Sequence, residues 1–187
     1  MDAPPIQYAR TEDGVNIAYW TLGEGPAVVI APGSNLSHAS KEWEIPTYRR
    51  WYTELSERFR VIRYDPRGLG LSDLEINDAS LTNMVVDLSA VLDAAGVDRA
   101  ALIGQFWFGP TVTQFAASHP DRVSCLVLWG TQASNQMLAE SEIMRSMSSL
   151  MKTSWDTAVT VLLSAVPSED KPGWERHLHY LRPDQPA

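Results

Sequence analysis

Apolar residues along the chain recur at two spacings. "IQYAR" and "DGVNIAYWTLG" alternate apolar and polar positions on either side of an Asp13-Gly14 turn signal, which predicts an antiparallel hairpin closed by Gly25-Pro26. Four short runs, "AVVIA" (Ala27 to Ala31), "FRVIRYD" (Phe59 to Asp65), "AALIG" (Ala100 to Gly104) and "VSCLVLWG" (Val123 to Gly130), are apolar and bounded by Gly, Pro or Asp. Each predicts a buried strand. Between them the spacing turns helical: Trp51, Leu55 and Phe59 share a face, as do Leu81, Val85, Leu88 and Leu92 ahead of a stop at Gly96. A third helix is predicted from about Pro110 to Ser118. Strand and helix in alternation predict an α/β fold: a mainly parallel sheet of about six strands with the N-terminal hairpin as its antiparallel edge.

Past Gly130 the strand pattern stops. Met137, Ile143, Met147, Leu150 and Met151 fall at helical spacing, and two or three helices fit the remainder. A methionine stripe of this kind packs on a neighbouring helix rather than holding a cofactor. The chain therefore reads as a single domain, 1–187, with a sheet core over 1–131 and a lid-like helical segment over 132–187. The strand at Val123 to Gly130 comes last and is expected at the sheet's edge. Since an uncovered apolar edge invites pairing, the expected assembly is a homodimer with an interface including the Met137 to Met151 helix.

Composition narrows the partners. At 187 residues the chain is long enough to bury a full core. One cysteine, Cys125, excludes an internal disulfide framework, and its place in "CLVLW" predicts a buried strand residue and a reducing, cytoplasmic setting. A formal charge of -8 with no compact basic stretch argues against nucleic acid and anionic membrane surfaces. The N-terminus lacks a basic start followed by an apolar core, and no apolar run reaches membrane-spanning length. No His, Cys and carboxylate cluster has metal-ligand spacing and no Gly-rich loop has the phosphate-binding pattern, so neither a metal nor a cofactor is expected.

Three segments together resemble the α/β-hydrolase fold family, from about Ile6 to Thr131. "VVIAPG" is similar to its third strand and oxyanion loop, "YDPRGLGLSD" to the turn after its fourth strand, and "LIGQFWFGP" with "FAASHPDRVSCLVLWGT" to its nucleophile strand, helix and following strand. "WEIPTYRRWYTELSERFRVIRYDPRGLGLSD" further resembles hydrolase-like domains that precede nucleotidyl cyclase or other signalling domains in some bacterial proteins. The resemblance places the family's G-x-S-x-G elbow on Gly104, Gln105, Phe106, Trp107 and Phe108, with phenylalanine where the serine should be. Positions 105 to 110 offer no Ser, Cys, Thr or Asp in any register. The resemblance also puts the acid and histidine of the triad on loops after strands that this sequence does not show.

These observations imply a catalytically inactive hydrolase-like domain that binds a small apolar or acyl ligand, or a protein, as a regulatory or sensor module. The alternatives are an active esterase-type serine hydrolase with an unrecognised nucleophile, and a truncated piece of a longer hydrolase-like protein. Gly33, Ser34 and Trp107 form the candidate pocket and oxyanion-type loop, the backbone N–H groups of Ser34 and Trp107 facing a bound carbonyl. With no reaction to serve, the strained turn at Phe106 is expected to relax, its aromatics filling the pocket floor. Asp65, Arg67 and Ser72 are read as architectural. Ser34 with His38 four residues on makes a poor triad without an orienting acid, and His38 is read as a loop residue. His119 reads as a helix-end residue, and His177 and His179 as solvent-exposed.

Overall fold

The computed structural model describes residues 2–132, 134 and 140–182. The alternating segments form β1 (Gln7–Arg10) and β2 (Asn16–Leu22), paired antiparallel with Tyr8 opposite Ala18. The apolar runs form β3 (Ala27–Ile30), β4 (Arg60–Tyr64), β5 (Ala100–Gln105) and β6 (Val123–Trp129). One sheet of six strands results, in the order β1-β2-β4-β3-β5-β6. β2 meets β4 antiparallel, and β4, β3, β5 and β6 run parallel, so the hairpin is the antiparallel edge expected of it.

Among the described residues the α-helices follow the pattern: α1 (Pro46–Ser56), α2 (Leu81–Ala94), α3 (Gly109–Ser118), α4 (Glu142–Thr153), α5 (Trp155–Ser164) and α6 (Lys171–Tyr180). The period-2 strands feed a core on each face of the sheet. Val29, Ile62, Tyr64 and Leu102 pack against Leu88, Leu92, Val112 and Phe115 of α2 and α3. Val28, Ile30 and Val61 turn the other way, toward Trp20, Trp43 and Tyr52. Leu81 departs from the predicted apolar face and is 40% exposed, because it sits in the first turn of α2, where Ser80 caps the helix at the surface. Phe59 lies past the end of α1 and packs on the second core from the approach to β4.

The "DPRGLGLSD" turn is built around a buried carboxylate. Asp65 accepts from the N–H groups of Ala39 (2.8 Å) and Leu71 (3.1 Å). Gly70 has φ +56, and a Cβ there would stand 2.0 Å from Asp65 Oδ2, so both its backbone and the space require glycine. Ser72 Oγ accepts from Ala18 N–H at 2.8 Å, and Arg67 bridges Asp87 and Asp13 at 2.8 and 2.7 Å. These contacts tie the turn to β2 and α2, as an architectural role requires.

β6 lies at the sheet's edge. Val127, Leu128 and Trp129 are 45%, 48% and 58% exposed, and Cys125 is exposed as well. The expectation that Cys125 is buried is thus corrected. An apolar strand is buried only when elements cover it, and among the described residues β6 has a paired neighbour on one side alone. α4 presents Met144, Met147, Leu150 and Met151 as half-buried residues and leaves Ile143 73% exposed. Met137 lies outside the described residues. No helix among them is long and apolar enough to cross a membrane.

Candidate functional site

β5 ends at Gln105, a single 3₁₀ turn carries Phe106 to Phe108, and α3 begins at Gly109. Phe106 has φ +37, the one non-glycine residue with positive φ among those described. The turn has therefore kept a left-handed apex, contrary to the expected relaxation. The cause lies in its neighbours. A Cβ on Gly104 would come 3.0 Å from Gly109 Cα and 2.3 Å from Val112 Cγ2, so this glycine pair lets β5 and α3 approach closely. The residue permitting that approach is Gly109, one place beyond Phe108. Thr131 Oγ1 then donates to the Phe106 carbonyl at 2.8 Å and fixes the apex from the far side.

The three rings separate. Phe108 is buried in the core with Val112 and Phe115, Trp107 is half-buried, and Phe106 is 46% exposed. Phe106 stands between Gly33 and Gly130, where added Cβ atoms would meet its ring at 3.5 and 2.7 Å, and tilts against Trp129 with centroids 6.0 Å apart. It lines a cavity of about 370 Å³ shared with Ser34, Tyr48, Trp107, Met144 and Trp174. On its other side a groove of about 400 Å³ runs between Tyr48, Trp51 and Trp129.

Of the two backbone donors expected to face a bound carbonyl, the Trp107 N–H donates to the Gly33 carbonyl at 3.3 Å; in the same loop Ser34 Oγ accepts from Leu36 N–H at 3.2 Å. Beneath the cavity lies a buried charge network. Glu42 receives Arg63 Nε and Nη2 at 2.9 and 2.8 Å and Tyr52 Oη at 2.6 Å, and Ser37 donates to it as well. Burial pushes the Glu42 carboxyl up, but the Arg63 charge and these hydrogen bonds outweigh it and hold the pKa at about 2. Glu42 is thus a fully committed anion.

One histidine departs from expectation, and a second, His38, sits in a loop as expected but is buried there. His177 on α6 is 1% exposed, not at the surface, and its Nε2 lies 2.5 Å from the Leu36 carbonyl. His38 is also 1% exposed, with Nδ1 accepting from Lys41 N–H at 3.3 Å. Their rings stand 6.4 Å apart, and His177 meets both His38 and Leu36 across about 140 residues of sequence, beyond the reach of any local pattern. His179 is exposed as expected, and His119 ends α3, stacked on Phe115 at 4.6 Å. Among the described residues no group of three or more His, Cys, Asp or Glu could hold a metal ion.

The sequence profile of the α/β hydrolase fold family matches residues 26–166. The chain is 29% identical over 143 residues to bifunctional epoxide hydrolase 2 of Sus scrofa, covering 74% of this chain and 25% of that protein. It is 32% identical over 118 residues to epoxide hydrolase 2 of Siraitia grosvenorii, covering 62% and 35%. In structure it superposes on an esterase from Rhodococcus sp. ECU1013 with a TM-score of 0.77 at 23% identity, covering 96% of this chain and 69% of that one. It spans between a quarter and about a third of the length of these two curated relatives.

Proposed function

Because the chain belongs to the α/β hydrolase fold family, we propose that it is a member without hydrolytic chemistry, a module that binds a small apolar or acyl ligand in the cavity beside Phe106. The observation that carries this reading is Phe106 itself. It occupies the left-handed apex between β5 and α3, where the family resemblance puts the attacking serine, and a phenyl ring can neither donate nor receive a proton. The cavity walls suit apolar ligands, with Phe106, Trp107, Tyr48 and Trp174 offering ring faces and Ser34 a polar rim. The same reading extends to a sensor or regulatory part of a larger signalling protein.

Ser34 and His38 do not make a convincing substitute pair. His38 Nδ1 is occupied by Lys41 N–H, so the ring's proton resides on Nε2, which leaves a donor where a base is needed. Incubation with a fluorophosphonate probe is expected to leave the protein unlabelled. Turnover of p-nitrophenyl acetate should not exceed that of a heat-treated sample. Labelling that disappears in Ser34→Ala would establish the rival reading of an active serine hydrolase. Ligand binding is read separately, as a shift in tryptophan emission on titrating short-chain fatty acids.

A further inference from the structure

α6 forms one wall of the cavity through Trp174 and is fastened to the segment 34–47 by a set of specific contacts. Asp170, just before the helix, accepts from Thr47 N–H at 3.0 Å and so caps α1 from outside. Arg176 pairs with Glu44 at 3.1 Å, and Gly173 presses so closely that a Cβ would stand 2.9 Å from the Glu44 carbonyl. At the centre are His38 and His177, both buried, each with one ring nitrogen unpartnered: Nε2 of His38 and Nδ1 of His177.

The hydrogen bonds fix both tautomers. His38 accepts through Nδ1 and carries its proton on Nε2, whereas His177 donates from Nε2 to Leu36 and leaves Nδ1 bare. A second proton on His38 would break the bond from Lys41 N–H, and one on His177 would create a buried N–H with no acceptor. The groups facing the pair offer no relief. Glu42 is committed to Arg63, Glu44 is shared by Lys41 and Arg176, and Tyr180 lies over the Lys41 ammonium, 5.0 Å from the His38 ring.

We propose that α6 is an acid-released cover on the Phe106 cavity: the two uncharged imidazoles hold it closed, and a proton on either one lifts the helix and opens the wall at Trp174. Burial lowers the His38 pKa to about 4, with the neighbouring His177 and Lys41 adding to the effect, and burial lowers that of His177. The sign follows from linkage. A histidine depressed in the closed state is protonated preferentially in the open one, so closure weakens as pH falls below ~6.5 and keeps weakening down to about 4. The core behaves differently. Glu42 stays ionised to about 2, and Asp65, raised to about 6 by burial, takes up a proton in the folded state and so strengthens the fold as pH falls through that value.

The inference rests on the cavity reading for its consequence, but its test needs no ligand, so the two can fail separately. Hydrogen exchange followed by mass spectrometry, corrected for intrinsic rates, should show protection across 171–180 falling about 30-fold between pH 8 and pH 5 from His38 alone, while α2 and α3 hold theirs. His38→Asn with His177→Gln keeps the acceptor toward Lys41 and the donor toward Leu36 without the titration, and should flatten the response. A change under threefold, an equal loss in α2 and α3, or a response that persists in the double variant would overturn the proposal. Should that variant not fold, the wild-type ring signals decide. Neutral imidazole at both positions at pH 5.5 while α6 is protected supports the latch, and an imidazolium in the protected state refutes it.

Discussion

At the scale of single residues, a left-handed backbone under a β-carbon costs ~1–2 kcal/mol, and Phe106 bears that cost at φ +37 while leaving nearly half its ring in water. Replacing it with glycine removes the strain and forfeits about 1 kcal/mol of ring burial, so Phe106→Gly is expected to change stability by no more than ~1 kcal/mol. Phe108→Ala, two residues on and 4% exposed, should cost ~3–5 kcal/mol in the same urea titration. A Phe106→Gly loss as large as that of Phe108→Ala would mean that the ring at 106 is structural. That Gln105, Phe106, Trp107 and Phe108 bring no hydroxyl, thiol or carboxylate to this turn was legible in the residues themselves. The persistence of the strained apex was not. It depends on the close approach of Gly104 and Gly109, whose spacing departs by one place from the expected elbow, and on Thr131, Gly33 and Gly130, which reach the turn from other loops where no local pattern records the contact.

Among elements, the strands and the first three helices could be read from spacing because each buries a face against the sheet, and that burial imposes the period. α6 shows where this stops. Its placement depends on a capping carboxylate and a histidine reaching across 123 and 141 residues, with few apolar positions to announce either. Gly173 offers the clearest test. Alanine is the better helix former by ~1 kcal/mol, yet here its Cβ would press on the Glu44 carbonyl and Ile45 Cα, backbone that cannot give way locally. Gly173→Ala is therefore expected to loosen α6 and weaken its closure by ~1–3 kcal/mol, the usual cost of forced overpacking. Faster cleavage by trypsin at Arg176 would report it; unchanged cleavage would show that the helix has room to shift.

For the molecule as a whole, the six-strand sheet ends at β6, with Val127, Leu128 and Trp129 open to solvent and no charge or proline between Val123 and Trp129 to discourage pairing. We propose that a second copy of the chain pairs there, and light scattering at micromolar concentration is expected to give twice 20.8 kDa. Charge at -8 per chain opposes association, so dimerisation should strengthen with added salt. A monodisperse species at 20.8 kDa would exclude the dimer.

The position of Cys125 affects how such a measurement must be made. It is the chain's one thiol, exposed on the outermost strand opposite Ala101 of β5. Two copies meeting by chance can be oxidised by dissolved oxygen to a chain-to-chain disulfide, at the very edge where folded pairing would occur. A doubled mass in aged, unreduced protein therefore carries no information about assembly. Only material kept under a thiol reductant, or the Cys125→Ser variant, separates a covalent artefact of storage from a reversible complex.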